Sequence, residues 1–109
     1  MIRYISSAIL LALPALAFNA SAQTEGEALF VEKCAMCHRD RGMGTVQLLS
    51  RIPADQARLE DRKFLPAALV KTVVRNGLGN MFSISRAEVS DPQLELIAEY
   101  LAKENTNDK

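Results

Sequence analysis

The chain has 109 residues, about half of them apolar, with 13 Lys and Arg against 13 Asp and Glu and a formal net charge of zero at pH 7. That length allows one domain, the composition excludes a disordered chain, and the balanced charge excludes the strongly basic surface that nucleic acid requires. Cys34 and Cys37 are the only cysteines and lie too close together to staple distant segments, so a disulfide framework is excluded as well.

In chain order, the first feature is a leader. Arg3 precedes an almost wholly apolar run from Ile5 to Phe18, and Ala20-Ser21-Ala22 supplies small residues for a signal peptidase. The run is short of the ~20 residues that span a bilayer and contains Pro14. Residues 1–22 are therefore expected to be a cleaved signal peptide rather than an anchor, which predicts export and no stable membrane insertion. Residues 23–109, without tryptophan, are then one domain of roughly 87 residues, near the size at which a single core is marginal without help. A large apolar cofactor would supply that help.

Glu25 to Lys33 has helical periodicity, with Gly26, Leu29, Phe30 and Cys34 on or near one face; Thr24 can cap this helix and Glu27 can complete a capping box. From Arg39 to Thr45, Gly42 and Gly44 among polar residues predict a loop. Pro53 opens a short helical segment through Leu59. Leu65-Pro66 to Asn76 reads as a better helix, with Leu69, Val70, Val73 and Val74 apolar and Gly77 as its stop. The valine pair also suits a strand, but no partner strand pattern exists elsewhere. Gly77 to Ser85 is a loop holding Met81. Ser90 and Asp91 before Pro92 start a closing helix, with Leu94, Ile97, Ala98 and Leu101 at helical spacing up to Lys103, and a polar tail follows. The expected class is all-α.

The chemistry lies in Cys34-Ala35-Met36-Cys37-His38. Two thiols separated by two residues and followed at once by histidine is the spacing by which haem is attached covalently. Each cysteine would add to one vinyl group, making Cys34 and Cys37 thioether donors, and the adjacent His38 would bind iron from the proximal side. Structural zinc would need four protein ligands, and no third cysteine or second histidine exists to complete them. A redox dithiol shares the spacing but belongs in a strand-helix context that the pattern lacks.

With these residues in view the chain resembles the small monohaem class I cytochromes c over nearly all of residues 23–109. In that family a glycine and an aromatic residue lie eight and four positions before the first haem cysteine, here Gly26 and Phe30, and they pack on an aromatic residue of the closing helix, here Tyr100. The resemblance implies the cytochrome c fold, short helices and loops around one covalent haem c, and a methionine as the distal iron ligand. Met81 occupies that ligand's place after Arg75-Asn76-Gly77-Leu78-Gly79-Asn80. Met36 lies between the cysteines, and Met43 lies close after His38. Relatives often carry proline after the ligand methionine, where this chain has Phe82, and a proline whose carbonyl accepts from the proximal imidazole, where this chain has Gly42-Met43-Gly44-Thr45. A carbonyl near Gly44 or Thr45 is the expected substitute.

Val46, Leu48, Leu49, Ile52, Leu65, Leu69, Val73, Ile84 and Leu101 are the expected pocket wall, and Arg51 or Arg75 could meet a haem propionate. The central cations could form a docking face or an ordinary solvated surface. The resemblance implies a non-catalytic one-electron Fe(II)/Fe(III) shuttle in the periplasm. Its partners would be a redox donor and acceptor, such as a flavin or quinoprotein dehydrogenase. The alternatives are a permanently bound cytochrome subunit of such a dehydrogenase and a peroxidase-like or gas-binding haem protein.

Overall fold

The computed structural model describes residues 17–102. These residues form five helices: α1 (Ala17–Lys33), α2 (Ala35–His38), α3 (Met43–Leu48), α4 (Ala67–Asn76) and α5 (Asp91–Leu101). Two single 3-10 turns, Ala54–Gln56 and Leu59–Asp61, stand where one short helical segment was expected. The class is all-α, as the periodicities predict. Of the expected signal peptide, residues 1–16 lie outside the described residues, as does the polar tail from Lys103.

Helix α1 begins eight residues before Glu25, and its backbone is helical through Thr24, which is therefore not an N-cap. The physical reason is local. Ala17, Ala20 and Ala22 are the strongest helix formers, and neither glycine nor proline interrupts the stretch. Helix α5 starts as expected: the Ser90 hydroxyl accepts from the Gln93 backbone N–H at 3.3 Å and the Gln93 side-chain oxygen accepts from the Ser90 N–H at 3.0 Å. It ends at Leu101, short of Lys103. Helix α4 stops at Gly77, whose φ of +75° is left-handed backbone that glycine adopts without strain.

The core forms where α1, α4 and α5 meet. Phe30 is fully buried and joins Val70 and Val74 of α4 with Leu94, Ile97, Ala98 and Leu101 of α5, closed off by Leu65 and Val89. Phe30 and Tyr100 stack with ring centroids 5.8 Å apart at 47°. Gly26 makes this crossing close: a Cβ there would run into the Leu96 carbonyl oxygen and sit 3.0 Å from Tyr100 Cβ. Because the obstacle is backbone, it cannot swing aside, and Gly26→Ala is expected to lower unfolding free energy by about 1–3 kcal/mol in denaturant titrations. Glycine at position 28 instead of Ala28, which is exposed on the same helix, should cost only about 1 kcal/mol.

Candidate functional site

Helix α1 runs directly into the Cys-x-x-Cys-His turn. The Cys34 N–H donates to the Phe30 carbonyl at 2.8 Å, and the Cys37 and His38 N–H groups both donate to the Cys34 carbonyl at 3.1 Å. One turn of helix, α2, thus carries both thiols and the imidazole from the end of a helix fixed in the core. Cys34 is partly buried and packs against that core, while Cys37 is exposed. Burial, and then the neighbouring Cys37, push the Cys34 thiol up to about 11. That shift is opposite to the lowered pKa of a redox dithiol.

The segment after His38 differs from the expected loop. Arg41 takes a left-handed φ of 62°, Gly42 is extended and precedes α3, and the helix begins at Met43. Gly42 has no room for a side chain, since a Cβ would lie 2.7 Å from the Met36 carbonyl oxygen. At Gly44 a Cβ would fall 2.8 Å from His38 Cε1 and 3.0 Å from Nδ1, so the imidazole lies against the backbone of α3. No carbonyl near Gly44 or Thr45 accepts from the ring: His38 Nδ1 is buried without a hydrogen-bond partner, as is the Thr45 hydroxyl. Burial lowers the His38 pKa, which favours the neutral imidazole that a metal ligand must be.

His38 opens onto a cavity of about 530 Å³, within the usual range for ligand sites. Gly44, Gln47 and Leu48 of α3 line it at helical spacing, and Leu69, Val70, Val73 and Val74 of α4 supply much of the apolar wall. Leu59, Leu65 and the segment from Leu78 to Met81 complete it. Of the expected wall, Leu48, Leu65, Leu69 and Val73 are present. Val46 and Leu49 instead fall on the exposed side of α3, Leu101 belongs to the core, and Ile52 and Ile84 do not reach the cavity. Val70 and Val74 could have been found from the helical apolar set that includes them. Leu59 and Leu78 stand in irregular segments that have no period to read.

Met81 lines the same cavity as His38, whereas Met36 and Met43 are exposed and do not line it. The loop that carries Met81 is held without a proline. Leu78 and Met81 exchange both backbone hydrogen bonds, at 2.9 and 3.0 Å, around Gly79 at φ +57°. A Cβ at Gly77 would come 2.6 Å from the Met81 carbonyl oxygen, so the loop's start and end press together. Beyond it, the Ile84 N–H donates to Val74 at 2.7 Å, and Arg75 donates to the Ile84 carbonyl at 3.1 Å while pairing with Asp91 at 2.7 Å. Arg75 is thereby committed away from the cavity. Arg51 lines the cavity, as does Arg62, which the pattern did not single out.

Behind His38 sits a second polar cluster. Arg39 donates from Nε and Nη2 to the two oxygens of Glu60, at 2.7 and 2.9 Å, the Tyr100 hydroxyl donates to Glu60 Oε2 at 2.5 Å, and Arg58 stands 3.6 Å from Oε1. The Arg39 guanidinium also lies 5.8 Å over the Phe30 ring. The hydrogen bonds from Arg39 dominate in holding the Glu60 carboxyl down at about 2, and burial, then Glu60, push the Tyr100 phenol up to about 12. The folded state therefore favours ionised Glu60: its contribution is whole above about 4.5 and is lost as the pH falls through about 2. Melting midpoints measured down to pH 2 should fall across that window, and Glu60→Gln should flatten the fall. Among the other central cations, Arg58, Lys63, Lys71, Arg75 and Arg86 are ion-paired, which leaves little of a continuous basic face.

The residues present fit a haem. The cavity is apolar over most of its lining and has the His38 imidazole and the Met81 thioether on its wall, while Cys34 and Cys37, unbridged and at the attachment spacing, do not line it but sit on the turn that carries His38. Among the described residues no group of three or more His, Cys, Asp or Glu is arranged to hold a metal ion, so zinc gains no support. No helix among them is long and apolar enough to cross a membrane. Fold and site together define a small class I cytochrome c, a haem-based electron-transfer protein. The chain belongs to the family described as cytochrome c oxidase, cbb3-type, subunit III, whose model matches residues 21–101. Comparisons with curated proteins and with solved structures found no match.

Proposed function

We propose that the protein is a periplasmic one-electron carrier, exported by residues 1–22, whose domain from residue 23 to residue 109 holds a single haem c. Cys34 and Cys37 hold it as thioethers, His38 is the proximal iron ligand and Met81 the distal one. The haem, when bound, supplies one iron that alternates between the ferrous and ferric states. The chain's own residues set the terms of that exchange. Leu59, Leu69, Val70, Val73 and Leu78 exclude water, Gly44 leaves space for the imidazole, and the Leu78–Met81 reversal holds the soft thioether in place. No residue is assigned a catalytic role. Electrons come from one redox protein and pass to another, with a periplasmic flavin or quinoprotein dehydrogenase as donor.

The single observation that carries this reading is that His38 and Met81 line one cavity while Met36 and Met43 do not. The test is the absorption spectrum of the oxidised protein. A weak sulfur-to-iron band near the red end is expected in the wild type and should vanish in Met81→Ala with the Soret absorbance retained. A wild type without that band removes Met81 from the iron.

A second reading, a cytochrome subunit bound permanently to a larger redox enzyme, is favoured by exposed apolar side chains beside the site. Met36 and Phe82, which do not line the cavity, are exposed at 89 and 78%. Gel filtration of a native periplasmic extract separates the two, since a free monomer alone excludes the subunit.

A further inference from the structure

Among the described residues nothing hydrogen-bonds to His38 Nδ1, and the imidazole lies against the Gly44 backbone. In cytochromes the plane of the proximal ring has to be held by something, because ligating histidines are otherwise oriented through their second nitrogen. The turn that carries His38 is a single helical turn closed by the Arg39 N–H on the Ala35 carbonyl at 2.9 Å, and the chain reverses just beyond it at Arg41. Met36 is exposed and holds nothing, and the thioether that Cys37 would form ties the turn to the haem rather than to the protein core.

Arg39 holds the far end of the turn. Its planar fork is engaged by both oxygens of Glu60, a bidentate geometry that fixes direction as well as distance. Glu60 is in turn fixed by Tyr100 of α5, and its carboxyl group is only 16% exposed. Its neighbour Leu59, on the same 3-10 turn, lines the cavity and packs against the core. One carboxylate thus ties the end of the histidine turn to the closing helix and to the cavity wall.

Resting on the haem ligation proposed above, we infer that Glu60 is a positioning residue: through Arg39 it holds the backbone that carries His38 and so sets the plane of the imidazole, the task that a carbonyl on Nδ1 would otherwise perform. Glu60 does not line the cavity, and its effect passes through Arg39.

The test uses the full holoprotein and the haem-methyl proton resonances of its ferric form, whose spread and order follow the orientation of the axial ligand planes. Glu60→Gln and Arg39→Lys, which keeps the charge but loses the fork, should both shift these resonances in the same pattern. Tyr100→Phe, the mildest change and the one safest for folding, should shift them in that pattern by less. Lys71→Ala removes an exposed ion pair to Glu95 elsewhere on the surface and should leave them in place. If Glu60→Gln or Tyr100→Phe gives methyl resonances superimposable on wild type while its denaturation midpoint falls, Glu60 is only structural and the inference is overturned. The pyridine haemochrome spectrum of the wild type reads thioether attachment separately, and its failure would overturn the haem assignment itself and this inference with it.

Discussion

A chain carrying Cys34→Ala and Cys37→Ala together is expected to emerge without covalent haem and without a cooperative fold. The cavity of about 530 Å³ is lined by His38, by α3 and α4 with the segment between them, and by Leu78 to Met81. The cavity is open to solvent, so without the cofactor its mostly apolar wall faces water, a loss on the order of 5 kcal/mol at ~25 cal/mol per Å². The whole stability of a small domain is about 5–15 kcal/mol. The cofactor is therefore as much a part of the core as Phe30. Haem staining after a denaturing gel should be negative, and circular dichroism should show a broad, non-cooperative melt. A haem-free variant that melts sharply at the wild-type temperature would show that the cavity walls close on themselves, contrary to this account.

Phe30→Ala is the second large effect. Phe30 is fully buried, meets Tyr100 at 5.8 Å and lies under Arg39, so truncation removes packing from α1, α5 and the histidine turn at once. The expected loss is about 3–5 kcal/mol, a large share of a marginal total. Denaturant unfolding of the holoprotein should show a lower midpoint with an unchanged slope. Phe82→Ala provides the contrast: at 78% exposure it should fall within about 0.5 kcal/mol of wild type. Equal losses for the two would mean that burial on this fold does not decide stability.

The features that sequence makes legible here are those encoded by neighbours. The start of α5 at Ser90 and Asp91 before Pro92, the Gly77 stop and the Cys-x-x-Cys-His spacing each sit within a few residues, and each stands where its local chemistry puts it. The Gly26, Phe30 and Tyr100 contact was legible through family resemblance, since the residues are far apart in the chain. Other features were hidden for physical reasons. The start of α1 at Ala17 was masked because an alanine-rich stretch serves a leader and a helix equally well. Gly42 and Gly44 read as helix breakers, yet the first gives way to the carbonyls of Cys37 and Met36 and the second to the face of His38, so α3 begins between them. The Arg39, Glu60 and Tyr100 cluster spans 21 and 40 residues and joins polar side chains, to which hydrophobic periodicity is blind.

The crossing of α1 over α5 has a consequence in time. Gly26 and Phe30, near one end of the domain, are completed only by Leu96 and Tyr100, near the other, and the intervening chain must be looped together before either contact exists. During synthesis the histidine turn is therefore made long before there is any core to bury Phe30. A chain interrupted anywhere between His38 and Leu94 has its cysteines but no complete closing helix, and a protease that removes α5 takes away the partners of Gly26 and Phe30. The protein is a clasp that only a finished chain can fasten.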